Sequence, residues 1–174
     1  MGLAAKILTV SDSVVEGTRE DSAGALLASR LDEGGFIVQE RRVVADGVDS
    51  VADALRELCA GFAGLVVTTG GTGFSPRDLT PEGTLAVIER EAPGLAEAMR
   101  SVSPLGRLSR GRAGVVGRCI VVNTPGSPRG ALESLEAILD VVGHALALLA
   151  GEPTNHPPET GGSTATSSSG PTGV

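Results

Sequence analysis

The chain has 174 residues, of which 41% are hydrophobic, and this length supports one compact core but is short for two, so we expect a single domain. Fourteen basic and twenty-one acidic side chains give a net charge of −7, and tryptophan and tyrosine are absent, which argues against a nucleic-acid partner. The sequence shows no apolar run of about 18 residues and no cleavable leader, so we expect no membrane span and a cytoplasmic location.

The first part of the chain alternates predicted strands and helices. In order, these are a strand over residues 6–10, a helix capped by Asp21 or Ser22 and ended by Gly34 and Gly35, a strand over residues 36–44, a helix from Val48 and a strand over residues 64–69. The first and third strands are short, largely apolar runs, which is typical of strands buried on both faces of a sheet.

The second part continues the alternation after a long glycine-rich loop. Thr80 followed by Pro81 predicts an N-cap with proline at the first helical position, and Ser127 followed by Pro128 repeats this pattern before the longest helix. Between these two starts lie a predicted short helix over residues 93–102, an arginine-bearing loop over residues 103–114 and a strand over residues 118–123.

This order of elements predicts the fold class. Strands alternating with helices imply right-handed crossovers and an α/β fold, here a three-layer, doubly wound domain around a mostly parallel sheet in residues 1–150. Residues 151–174 are rich in glycine, proline, serine and threonine and predict a disordered tail. Ligands of such sheets bind beyond the carboxyl ends of the strands. Four segments should meet there: Ser11-Asp12-Ser13, Asp46-Gly47, residues 70–80 and residues 123–127.

The third of these segments lies in the stretch TTGGTGFSPRDLTPE, residues 68–82, and has the composition of a phosphate cradle. Gly70, Gly71 and Gly73 allow backbone N–H groups to approach a ligand, and the helix start downstream favours an anion. Neither GxxxxGK nor GxGxxG is present, and the alternative is that the glycines only form a long turn. Two features favour phosphate: the connection is longer than the fold requires, and NTPGSP at residues 123–128 repeats the pattern of glycine, hydroxyl and helix start.

Two aspartates, Asp46 and Asp78, follow predicted strands near this cradle. Each could instead form a turn-stabilising side-chain hydrogen bond, and the residues alone leave that choice open. If both face the crevice, a pair of carboxylates beside a phosphate site suits Mg²⁺, which favours oxygen ligands together with phosphate.

Other polar residues near the loops have two interpretations. Arg77 and Arg129 flank the two glycine loops, and further arginines lie in the loop over residues 103–114; guanidinium groups bind phosphate, but most surface arginines are only solvated. Ser127 is most simply an N-cap. Phe74 could stack on a flat heterocycle or fill a subunit contact.

Taken together, TTGGTGFSPRDLTPE and VNTPGSPRGALESLEAIL closely resemble the MogA/MoaB family of molybdenum-cofactor biosynthesis proteins, over about residues 4–150. The resemblance implies a doubly wound α/β domain, usually a homotrimer, that binds molybdopterin. It implies that adenylyltransferase members use Mg-ATP to form adenylyl-molybdopterin and pyrophosphate, and a molybdenum-insertion protein is a candidate partner.

The resemblance also implies roles for individual residues. The two important aspartates of the family correspond to Asp46 and Asp78, which we expect to be catalytic and to hold Mg²⁺. The molybdopterin or phosphate contacts correspond to the GGTG loop and to Pro125-Gly126-Ser127. With the neighbouring polar residues, the expected substrate-binding set is Ser11, Asp12, Thr69, Gly70, Gly71, Thr72, Gly73, Ser75, Pro125, Gly126 and Ser127.

The sequence therefore predicts an adenylyltransferase acting on molybdopterin with ATP and Mg²⁺. Two alternatives remain. The first is a molybdopterin-binding carrier or scaffold without turnover, because the family includes paralogues with the same motifs. The second is an unrelated nucleotide-binding regulator, which would bind ATP but not the pterin.

Overall fold

A computed structural model of the protein describes residues 2–152 and contains the predicted alternation of strands and helices. The strands are β1 (Leu3–Val10), β2 (Phe36–Val44), β3 (Ala63–Thr69), β4 (Arg90–Glu91), β5 (Ala113–Val116) and β6 (Arg118–Thr124). The α-helices are α1 (Asp12–Val15), α2 (Ser22–Glu33), α3 (Val48–Cys59), α4 (Thr80–Leu85), α5 (Pro93–Ser101) and α6 (Pro128–Leu149), and a 3₁₀ helix covers Pro104–Leu108. The predicted tail lies outside the described residues, apart from its first two positions.

The strands form one mixed sheet in the order β2-β1-β3-β6-β5-β4. The first four strands of this order are mutually parallel, whereas β5 is antiparallel to β6 and β4 is antiparallel to β5. The predicted α/β, mostly parallel sheet is confirmed, and the antiparallel edge is an addition that the sequence pattern did not predict.

Helices cover both faces of the sheet. On one face, α2, α5 and α6 bury Leu27, Met99 and Leu135 against the strands, and on the other α3 buries Leu55 and Leu58. Burying one such leucine stabilises a fold by about 1.5–3 kcal/mol. The two apolar layers hold the parallel strands rigidly, so the loops at their carboxyl ends start from fixed positions.

Among residues 2–152, no helix is both long and apolar enough to cross a bilayer.

The predicted helix caps are correct at two places. Asp21 caps α2 by accepting a hydrogen bond from the Gly24 N–H at 2.9 Å. Ser127 caps α6, with its Oγ accepting from the Gly130 N–H at 3.3 Å. Both helices thus begin at the edge of the sheet where the parallel strands end.

The predicted cap at Thr80 is wrong. Leu79 is the N-cap of α4, Thr80 is the first helical residue, and no side chain caps this helix. The Thr80 N–H donates to the Gly71 carbonyl at 3.0 Å, which draws the residue into the helix and buries its hydroxyl.

The segment Ser11-Asp12-Ser13 also differs from the predicted loop, because Ser11 caps the short helix α1 that starts at Asp12.

Candidate functional site

A cavity of about 1150 Å³ opens at the carboxyl ends of the parallel strands. All four segments predicted to meet there contribute to its lining. The predicted site residues in the lining are Ser11, Asp46, Thr69, Gly70, Gly71, Thr72, Gly73, Asp78, Pro125, Gly126 and Ser127. Helix α5 and the 3₁₀ helix form a further wall with Met99, Leu105 and Leu108. Asp12 and Ser75 are not in the lining.

The glycine loops approach neighbouring atoms so closely that side chains would not fit. Gly70 has φ of +101°, and a Cβ there would lie 2.2 Å from the Val10 carbonyl oxygen. A Cβ on Gly126 would lie 3.2 Å from the Gly70 Cα, so the two glycine loops touch. The absence of side chains leaves main-chain groups as the floor of the cavity between them, which is the arrangement that suits a phosphate.

The two predicted catalytic carboxylates lie against this floor. A Cβ on Gly71 would be 3.1 Å from Asp46 Oδ1, and a Cβ on Gly73 would be 2.9 Å from Asp78 Oδ2. Asp46 therefore lies beside the first half of the GGTG loop, and Asp78 lies beside its last glycine.

Each carboxylate uses one oxygen within the protein. Asp46 Oδ2 accepts from the Asp12 N–H at 3.0 Å, and Asp78 Oδ2 accepts from the Ser75 N–H at 2.8 Å. The Asp78 bond is the turn-stabilising interaction that the sequence left open. Within residues 2–152, the other oxygen of each carboxylate makes no hydrogen bond and is available to a ligand.

This donor set fits Mg²⁺ bound together with phosphate. Within the described part of the chain, no group of three or more histidine, cysteine, aspartate or glutamate side chains could hold a metal by itself. Two carboxylates beside an anion site suit an ion that keeps waters and takes its remaining ligands from substrate phosphates. Asp46 and Asp78 are thus the residues that would hold it.

Asp12 is bound within the protein. Its carboxylate receives Arg77 in a bidentate ion pair, with Nε–Oδ2 and Nη2–Oδ1 both at 3.1 Å and Nη2–Oδ2 at 2.8 Å. Asp12 Oδ1 also accepts from the Asp46 N–H at 3.0 Å. The hydrogen bond from Arg77 is the main reason that the pKa of Asp12 lies below its ordinary value. Arg77 also donates to the Asp46 carbonyl at 3.0 Å. The substrate contact predicted for Asp12 stays a prediction, and the visible role is to hold Asp46.

The positive groups at the cavity come mainly from its rim. Arg129 is paired with Glu133 on the first turns of α6, and the N-terminal end of this helix, which carries a partial positive charge, also lines the cavity. Arg19 lines the cavity, and its guanidinium makes no hydrogen bond with any residue from 2 to 152. Sequence reasoning missed Arg19 because it lies outside the glycine motifs.

Arg110 is one of the arginines of the loop over residues 103–114, for which the sequence left phosphate binding and simple solvation open, and the structure shows its side chain bound within the protein. Its guanidinium donates to the carbonyls of Gly73 and Asp78 and forms an ion pair with Glu82. The only sequence signal was its position in an arginine-bearing loop, which does not indicate these partners.

The fold is that of a doubly wound α/β protein, and its cavity lies at the carboxyl edge of the sheet, where ligands of such folds bind. Residues 6–144 match the family model described as a probable molybdopterin binding domain. The chain belongs to this MogA/MoaB family of molybdenum-cofactor biosynthesis proteins.

Individual relatives agree with that assignment. The chain is 36% identical over 154 residues to the molybdopterin adenylyltransferase of Helicobacter pylori strain J99, covering 83% of this chain and 86% of the relative. It is 45% identical to the solved molybdopterin biosynthesis enzyme MoaB of Thermus thermophilus, with a TM-score of 0.81 over 87% of this chain and 98% of that one. The molybdopterin biosynthesis Mog protein of Mycobacterium ulcerans is 40% identical, with a TM-score of 0.80 over 87% and 99%.

Proposed function

We propose that this protein is a molybdopterin adenylyltransferase, which converts molybdopterin and ATP to adenylyl-molybdopterin and pyrophosphate in molybdenum-cofactor biosynthesis. The observation that carries the proposal is the placement of Asp46 and Asp78 against the GGTG floor of one cavity. The cavity volume of about 1150 Å³ lies just above the range of about 300–1,000 Å³ typical of small-molecule pockets, and the proposal assigns both substrates to this one cavity.

In the proposed reaction, a terminal phosphate oxygen of molybdopterin attacks the α-phosphorus of ATP. The new P–O bond joins the pterin phosphate to adenylate, and the bond to the β-phosphate breaks, so the electron pair leaves with pyrophosphate. Protein residues need not form a covalent bond in such a transfer; they align two anions and stabilise developing charge.

Three parts of the site perform these tasks in the proposal. The main chain of the two glycine loops and the N-terminus of α6 bind phosphate groups. Arg19 and Arg129 at the rim offset the summed negative charge of two substrates. Asp46 and Asp78 would hold Mg²⁺, which when bound supplies charge neutralisation at the phosphates of ATP.

Incubation of the protein with molybdopterin and Mg-ATP tests the proposal, with adenylyl-molybdopterin and pyrophosphate as the measured products. Formation of both in a one-to-one ratio is expected. Binding of molybdopterin without product would favour the carrier or scaffold, and binding of ATP without pterin affinity would favour a nucleotide-binding regulator.

A further inference from the structure

Arg110 joins the two ends of the loop segment that carries Asp78. Its Nε donates to the Gly73 carbonyl at 2.8 Å and its Nη2 donates to the Asp78 carbonyl. Its own N–H donates to the Thr72 carbonyl at 2.8 Å. We call residues 73–78, between these two side-chain contacts, the Asp78 turn.

The remaining side of the guanidinium is held by Glu82 in the first turn of α4. Burial alone tends to raise the pKa of Glu82, but the hydrogen bond from Arg110, a backbone hydrogen bond and the charges of Arg110 and Arg112 together outweigh it, so the pKa lies below its ordinary value. Glu82 is thus ionised at neutral pH and fixes the orientation of the guanidinium plane. With three acceptor groups around it, Arg110 has little donor capacity left for a substrate phosphate.

We infer that Arg110 is a positioning residue for the proposed adenylyl transfer. By binding the carbonyls at both ends of the Asp78 turn, it fixes the position of the Asp78 carboxylate relative to the glycine floor. This inference rests on the proposed function. Arg110 acts through Asp78 and does not touch the reacting atoms.

The first half of the glycine loop is held by other bonds. The Gly70 N–H donates to the Thr124 carbonyl at 3.2 Å, and the Gly71 carbonyl accepts from Thr80 at 3.0 Å. Loss of the Arg110 side chain therefore frees the two ends of the Asp78 turn and leaves Gly70 and Gly71 in place. The turn keeps its bond between Ser75 and Asp78 and the contacts of Arg77 with Asp12 and Asp46, so we expect it to loosen at its ends without unfolding. Catalysis and ligand binding should separate, because misplacing a catalytic group by about 1 Å costs about 100-fold in rate.

The chain offers a matched control at Arg112. This residue lies two positions away and pairs with Glu91 at 3.4 Å, away from the Asp78 turn. Arg110→Gln and Arg112→Gln remove the same charge from the same segment, so their difference isolates the contacts to the turn. Arg110→Lys keeps the charge but loses the planar fork that reaches two carbonyls and a carboxylate at once.

The experiment combines amide hydrogen exchange with single-turnover adenylylation and molybdopterin titration. For Arg110→Gln we expect faster exchange within residues 73–78, a rate lower by about 30-fold or more and a dissociation constant for molybdopterin within about threefold of wild type. Arg110→Lys should recover only part of the rate, and Arg112→Gln should match wild type in all three measurements.

Two results would overturn the inference. One is exchange in residues 73–78 that is the same in Arg110→Gln and Arg112→Gln, because the turn would then be held without Arg110. The other is an unchanged adenylylation rate in a variant whose turn does exchange faster. If wild-type protein forms no product, the proposed function fails instead, and exchange still decides whether Arg110 holds the turn.

Discussion

Asp12 and Asp46 exchange hydrogen bonds in both directions. The Asp12 N–H donates to Asp46 Oδ2 and the Asp46 N–H donates to Asp12 Oδ1, each at 3.0 Å. The two residues follow neighbouring parallel strands, β1 and β2, so the pair joins the ends of those strands. Arg77 adds a third connection, because it binds the Asp12 carboxylate and the Asp46 carbonyl. The position of Asp46 is therefore set by a carboxylate that does not line the cavity.

This arrangement predicts an acid-dependent contribution to stability. The pKa of Asp12 is lowered in the folded protein, mainly by the hydrogen bond from Arg77, so its ionisation stabilises the fold above the ordinary value of 3.8. That contribution is lost as pH falls through the lower folded value. We expect the stability difference between wild type and Arg77→Gln to be constant near neutrality and to shrink below about pH 4.

Urea denaturation between pH 7 and pH 2.5 measures that difference. Arg56→Gln is the control, because Arg56 pairs with Asp53 in an exposed ion pair on α3. A difference for Arg77→Gln that does not change with pH would show that Asp12 is not the coupled group.

Replacing either site aspartate by asparagine should separate catalysis from folding. In Asp46→Asn and Asp78→Asn, the side-chain oxygen can still accept from the Asp12 or Ser75 N–H, so the fold should persist. The negative charge that would hold Mg²⁺ beside the phosphates is lost. We therefore expect the adenylylation rate to fall by about 100-fold or more, on the order of 3 kcal/mol.

Molybdopterin binding should survive in both asparagine variants, because the main chain of the glycine loops supplies the proposed contacts. Single-turnover rates and pterin titrations test this, with Asp53→Asn on the exposed face of α3 as the control. Unchanged rates would remove the two aspartates from the mechanism.

Gly73→Ala should reproduce the catalytic effect of Asp78→Asn without removing a charge. Gly73 does not have a positive φ, so alanine causes no backbone strain there, but its Cβ would lie 2.9 Å from Asp78 Oδ2 and displace the carboxylate. We expect a large loss of rate with a small change in melting temperature. Gly94→Ala is the control, because a Cβ there meets no atom within 4 Å. A wild-type rate for Gly73→Ala would mean that Asp78 tolerates displacement.

Two buried threonines give a test of hydroxyl pairing. Thr84 Oγ1 donates to the Thr80 carbonyl at 2.8 Å and accepts from Asn123 Nδ2 at 2.9 Å. Thr80 Oγ1 is buried and makes no hydrogen bond with a described residue. Thr84→Val should therefore cost about 1–3 kcal/mol of unfolding free energy, whereas Thr80→Val should change it by less than about 1 kcal/mol. Equal losses in urea denaturation would show that the Thr80 hydroxyl is paired in solution.

The Thr80 error shows how far local sequence rules extend. Threonine followed by proline fits a helix start, and α4 does start there, but the Thr80 N–H donates to the Gly71 carbonyl and the cap lies at Leu79.

Periodicity predicted β1, β2, β3 and β6 because each is a run of seven to nine residues. It missed β4 and β5, which have two and four residues and depend on pairing with a neighbour.

The candidate site was predictable to the extent that topology determines it. Parallel strands bring their carboxyl ends to one edge, so Asp46 and the glycine loops could be placed together from the order of elements. The roles of Asp12 and Arg110 could not, because each depends on side-chain contacts between segments about 30 or more positions apart. No local pattern encodes which of several arginines makes such a contact.

The oligomeric state implied by the family resemblance gives the last test. Phe74 and Leu105 are 71% and 74% exposed, and Leu108 is also exposed. Leu105 and Leu108 line the cavity, Phe74 follows the lining residue Gly73, and the contact between Arg110 and Gly73 holds the two segments side by side. Exposed apolar groups concentrated in one region favour association.

We expect a homotrimer at micromolar concentration in sedimentation velocity, and dissociation in the double variant Phe74→Ser with Leu105→Ser. Ile37→Ser on strand β2 is the control for a single exposed apolar residue elsewhere. A wild-type monomer would contradict the trimer, and an unchanged trimer in the double variant would place the interface on another surface.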